Sequence, residues 1–101
     1  MPNKKETVLQ DVIAAIDAGA LIPSKHALEQ MADRDIDMSD IEEAAYQAYR
    51  EEFKDSLNND GSDWKYAIRG ENKNGDKDIR IIVAYLDDPK MLIITAIDKN
   101  K

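Results

Sequence analysis

Cysteine is absent from this 101-residue chain, so neither a disulfide nor a thiolate metal site can form. Histidine occurs once, which excludes a zinc centre built from imidazoles. The four glycines are dispersed, so no Gly-rich loop is available to cradle a phosphate, and no nucleophile elbow occurs. No apolar run approaches the roughly 20 residues needed to span a bilayer. The opening residues lead into an acid-containing amphipathic stretch, not into the apolar core of a signal peptide. A soluble cytoplasmic protein is the expectation, with no membrane association and no cofactor.

Positive charge is also scarce. Fourteen Lys and Arg stand against 21 Asp and Glu, a formal net charge of −7. Residues 1–50 carry five cations and ten acids, and the remainder carries nine and eleven. The acid is concentrated in the first half. Nucleic-acid binders draw affinity from a basic surface, so any such face here is confined to the second half.

What is present describes one α+β domain over residues 1–101, with its core at about 5–98. Hydrophobic residues make up 43% of the chain, enough for a modest core. Leu9, Val12, Ile13 and Ile16 fall on one helical face and predict a first helix over 5–18, ended by Gly19. The connector 20–23 leads to Ser24, an N-cap for a second helix over 25–34 with Ala27, Leu28, Met31 and Ala32 on its apolar side. His26, Gln30 and Asp33 share another face of that helix. Ser39 with Glu42 reads as a capping box that starts a third helix, fading near Phe53. Residues 54–63 form a polar loop.

Strands follow. Residues 64–69 alternate, with Trp64, Tyr66 and Ile68 on one side and Lys65, Ala67 and Arg69 on the other. Asn74-Gly75 marks a hairpin turn. Residues 78–86 and 91–98 complete a three-stranded antiparallel meander, giving the order αααβββ. The last two strands are apolar on both faces, whereas a free-standing antiparallel sheet alternates with polar residues. Either the helices cover parts of both faces or one face receives a partner, and three helices favour cover from within the chain.

His26 is the natural general acid–base, since a histidine ordinarily titrates near about pH 6.5. Its bland role is that of a helix-end or backbone-bonding residue. Arg34 suits the C-terminal end of its helix and can pair with Asp33 or Asp37. Lys65 and Arg69 share a strand face, as in two-phosphate contact or in a solvent-facing edge strand. Arg80 is the sole charge in the apolar body of its strand, so it is paired with a helix acid or placed for a ligand. Asp33, Asp35 and Asp37 lack the glycine and distal glutamate of a calcium loop, as does the 58–63 loop.

The run Ser24-x-His26-Ala27-x-x-x-Met31, followed by Arg34-x-Ile36, a capped helix and a three-strand tail, resembles a small bacterial family known as domain of unknown function 4258. The resemblance covers about residues 21–98. That family is grouped with the RelE/ParE-like toxin superfamily, so the resemblance implies a RelE/ParE-like fold and metal-independent RNA cleavage, or inhibition of translation, within a toxin–antitoxin type system. It implies His26, Arg34, Arg80 and Tyr85 as catalytic groups, and Lys65, Tyr66 and Arg69 as substrate-binding groups for RNA. Gln30 stands where the family often has arginine, Asp35 where it often has glycine, and Ile97 near a common aromatic. The alternative expectation, from the charge, is a non-catalytic acidic protein-binding module of immunity, inhibitor or antitoxin-like type. Its partner is a protein, either a cognate antitoxin or a target, or a second copy through the sheet face.

Overall fold

The structure, a computed structural model, describes residues 3–100; the ends of the expected 1–101 domain, Met1, Pro2 and Lys101, lie outside the described residues. Helix α1 spans Val8–Asp17 and strand β1 spans Leu21–Pro23, followed by helices α2 (Lys25–Asp33) and α3 (Met38–Tyr46). Two short strands follow, β2 (Tyr49–Arg50) and β3 (Ser56–Leu57), separated by a 3-10 turn over Glu52–Lys54. The long strands are β4 (Trp64–Glu71), β5 (Asp78–Tyr85) and β6 (Met91–Asp98).

The architecture is α+β with three helices, as expected. The sheet differs from the expectation. The three long strands form the antiparallel meander, but the sheet has six strands in the order β1-β6-β5-β4-β2, with β3 also paired to β4. The connector 20–23 is a strand that runs parallel to β6, pairing Leu21 with Met91 and Pro23 with Ile93. Pro23 lacks an N–H but sits at the strand's end, where none is needed. Helix α3 stops at Tyr46, seven residues before the expected Phe53, because Tyr49 and Arg50 pair with Arg69 and Ile68 instead.

Caps set the helix starts. Ser24 Oγ accepts from the Ala27 N–H at 3.0 Å, as its sequence position requires. Replacing Ser24 with alanine is expected to lower stability by about 1 kcal/mol, read as a shift in the urea midpoint at unchanged slope; no shift would show the cap to be idle. Helix α3 is capped by Asp37 rather than Ser39. Asp37 Oδ1 accepts from the Asp40 N–H at 2.8 Å, and Asp40 Oδ2 accepts from the Asp37 N–H at 3.2 Å. A carboxylate at each end of the box also faces the positive helix terminus.

The core lies between the helices and one sheet face. Val8, Val12 and Ala15 of α1, Ala27 and Met31 of α2, and Ile41, Ala44 and Ala45 of α3 pack on Tyr66, Ile68, Ile79, Ile81, Val83, Met91, Ile93 and Ala96. Each fully buried large side chain contributes about 1.5–3 kcal/mol. Helix α3 crosses β4 at Gly70, where backbone meets backbone. The opposite face carries Ile82, Ala84, Leu92, Thr95 and Ile97, all half-buried, with Ile22 and Leu86 exposed at its margins. Cover from within the chain is therefore partial on that side: the segment after β2 folds over Ala67, and the rest is open. Among the described residues no helix is long and apolar enough to cross a membrane.

Candidate functional site

The open sheet face has a polar corner and an apolar floor. Arg69 and Arg80 are directly opposite each other on β4 and β5, and therefore point the same way. The chain leaving β2 donates its Glu51 N–H to the Ala67 carbonyl at 2.9 Å, which sets the Glu51 carboxylate between the two guanidiniums. Arg80 Nε donates to Glu51 Oε1 at 2.6 Å and Arg80 Nη2 to Oε2 at 3.1 Å. Arg69 Nη1 reaches Glu51 Oε2 at 3.3 Å. The rest of its fork donates to both Asp78 oxygens, at 2.9 and 2.6 Å. The result is a chain of alternating charge, Asp78–Arg69–Glu51–Arg80, with paired fork contacts at both ends.

Glu51 is the most enclosed member, at 3% exposure. Its hydrogen bonds from Arg80 hold its carboxyl below the usual carboxylate range, and Arg69 does the same for Asp78. Arg69 is held more firmly protonated by its bonds to Asp78 and then Glu51. The two arginines arrive at this face already neutralised. Lys65, on the same strand face as Arg69, lies beyond Ala67 with no acid bonded to it among the described residues.

The two tyrosines lie on the other face. Tyr66 is fully buried, and its hydroxyl accepts from the Lys5 N–H at 2.8 Å. Its ring meets that of Tyr85 edge to face, with centroids 5.8 Å apart. The Tyr85 hydroxyl donates to Asp11 Oδ2, which also accepts from Thr7 Oγ1 at 2.8 Å. Burial, then the bond to Asp11, pushes the Tyr85 phenol well above its ordinary range. It is a neutral hydrogen-bond donor committed to Asp11, and its proton is not available for transfer near pH 7. A cleft of about 400 Å³ opens beside it, between Lys5, Thr7 and Asp11 on one side and Leu86, Asp88 and Lys90 on the other.

His26 and Arg34 form a third group, on α2. His26 is exposed in the first turn, and its ring makes no hydrogen bond among the described residues. Arg34 is half-buried at the C-terminal end, where its N–H donates to the Gln30 carbonyl at 3.0 Å. Helix α2 packs on β6 and β1, and β4 is two strands farther along the sheet, about 10 Å away at the usual strand spacing. The structure thus brings Arg69 and Arg80 together, leaves Lys65 on the same face four residues away along β4, sets Tyr66 and Tyr85 behind them, and places His26 and Arg34 to one side.

Glu51 and Asp78 are the central residues that the sequence did not single out. From the sequence, the lone arginine of the apolar strand is expected to pair with a helix acid or to be placed for a ligand; it pairs with Glu51, which lies in the link after β2 and not in a helix. That partner was hidden because Glu51 was read as part of a longer α3, among many surface acids. The model of the family described as Domain of unknown function (DUF4258) matches residues 23–98 of the chain. No curated protein and no solved structure matches it.

Proposed function

Because the chain belongs to the DUF4258 family, whose description assigns no activity, we propose a function from the geometry: a non-catalytic protein-binding domain that receives a protein partner on its open sheet face. The observation that carries this reading is the apolar floor opposite the helices. Ile82, Ala84, Leu92, Thr95 and Ile97 share that face and stay partly accessible, with Ile22 and Leu86 beside them. An accessible apolar surface of this kind supports an interaction site. The groups suited to acid–base work are dispersed over three places, and the arginines that would clamp a phosphate are bonded to carboxylates.

A second reading keeps the RelE/ParE-like assignment. Lys65, Arg69 and Arg80 do share one accessible face, and a shared basic face favours RNA. On this reading the protein is the cytoplasmic toxin of a bacterial toxin–antitoxin pair, the carboxylates yield to phosphates on binding, and catalysis proceeds without a metal.

Cell-free translation with added protein separates the two. Wild type and His26→Ala are both expected to leave translation and RNA length unchanged at micromolar concentration. RNA cleavage by wild type that His26→Ala abolishes would establish the catalytic reading in its place. Ile82→Glu and Leu92→Glu, at half-buried positions, are expected to abolish partner capture without unfolding the domain.

A further inference from the structure

We propose that the sheet end bearing Trp64, Tyr66 and Tyr85 is a receptor for a basic peptide segment with two adjacent lysines on a partner protein, and that this chain's own Lys4 and Lys5 fill it in cis. The inference rests on this aromatic cluster and is independent of the open sheet face. Three cations stand over three rings. The Lys4 ammonium is 4.5 Å from the Trp64 ring centroid, Lys5 is 5.5 Å from that of Tyr85, and the Arg50 guanidinium is 5.2 Å from that of Tyr66. Each lies within the range where a ring face attracts a cation.

Acids complete the site. The Asp55 side chain is wholly buried; its Oδ2 takes both the Arg50 guanidinium at 2.5 Å and the Lys4 ammonium at 3.1 Å, while its other oxygen accepts the Ala67 N–H at 2.8 Å. The Tyr66 hydroxyl holds the Lys5 backbone N–H, so the site fixes main-chain register as well as side-chain charge. Such a combination reads a peptide rather than a loose cation.

The occupant in cis is lightly held. Residues 3–7 are exposed and lie outside any helix or strand, and they precede the part of the chain matched by the family. Flanking residues of an incoming segment have room in the cleft between Thr7, Asp11 and Asp88. The chain's charge of −7 attracts a basic segment at long range.

Trp64 is the only tryptophan, and its emission reports the site directly. The probe is a capped pentapeptide with the sequence of residues 3–7, titrated into the full-length chain. The Lys4→Ala/Lys5→Ala variant, changed only at exposed positions, is expected to show a saturable change in Trp64 emission. Wild type, whose own arm competes, is expected to bind about tenfold more weakly or less, and a peptide with glutamine for both lysines to give no change. No saturable change in the variant, or equal binding by variant and wild type, overturns the proposal. So does an equal response to spermidine, which would mean that the site reads charge alone. A concentration-dependent dimer of wild type that the double variant loses would overturn the assignment to a partner protein and make a second copy the occupant.

Discussion

Gly70→Ala is expected to destabilise the domain by about 3 kcal/mol or more, at the upper end of what overpacking costs. A Cβ at this position would fall well inside contact distance of the Ala44 carbonyl oxygen, 3.1 Å from the Ala44 carbonyl carbon and 3.2 Å from the Ala48 Cα. All three obstacles are backbone. A flexible side chain could rotate away, but α3 can retreat only as a body, and it is pinned on both sides. Ile41, Ala44 and Ala45 are sealed into the core, and Asn72 Nδ2, just past β4, donates to Asp40 Oδ1 at 3.1 Å. For a domain of this size the midpoint should fall by about 4–8 °C per kcal/mol, so thermal unfolding followed by circular dichroism reads it easily. Because Ala44 is itself small, Ala44→Gly would not restore stability: the obstacle is its carbonyl. A loss below about 0.5 kcal/mol would mean that α3 does not rest on β4 in this way.

Glu51→Ala is expected to cost about 3–5 kcal/mol, the usual result of leaving buried charge without its partner. Arg80, at 12% side-chain exposure, loses both of its fork contacts, and Arg69 keeps only Asp78. The test of mechanism is the double change Glu51→Leu/Arg80→Leu. Removing both members takes away the uncompensated charge, so most of the loss should return; equal losses for the single and double changes would show that packing at residue 51, and not charge, is what matters. The same group sets a pH dependence. Glu51 and Asp78 sit below their ordinary values in the fold. A depressed carboxyl contributes stability in full above its unfolded pKa, about 4, and loses it as pH falls through the lower folded value. Wild type should therefore weaken steeply below about pH 4, and Glu51→Gln, weaker at neutral pH, should show a shallower decline. Parallel urea-midpoint curves over that range would remove Glu51 from the account.

Much of this fold could be read from residue pattern alone, and where it could not the reasons are local. The strands from Trp64 onward were legible because alternation and the Asn74-Gly75 turn act over neighbouring residues. Strand β1 was not, since Leu21–Pro23 offers three residues, one of them proline, and exists only because Met91–Ile93 lies alongside. Asp37 and Ser39 are both good caps; the choice fell to Asp37 because Asp40 then reaches back to close the box. The length of α3 was overestimated because residues 47–53 carry no helix breaker, and their pairing to β4 is a tertiary preference. The candidate site divided along the same line. That Tyr66 turns from Arg69, and Tyr85 from Arg80, follows from strand periodicity. That Arg69 and Arg80 meet across the register, and that Glu51 comes between them, depends on contacts between separate strands and the link after β2.

One small contact of α2 limits how anything can attach to this protein. Gln30 Oε1 accepts the Ala96 N–H at 3.0 Å, and Ser24 N–H donates to the Ile93 carbonyl at 2.8 Å, so α2 and its cap finish the flank of β6 that β1 begins. On the far flank, Glu51 and Asp55 do the same for Ala67. Both margins of the sheet thus have their main-chain groups spoken for at these points. There an incoming strand finds no free main-chain group on β6 or β4, so the generic grip of strand addition, in which backbone hydrogen bonds accept almost any sequence, is left to the two- and three-residue edge strands β2 and β1. Such short edges offer little template for aggregation.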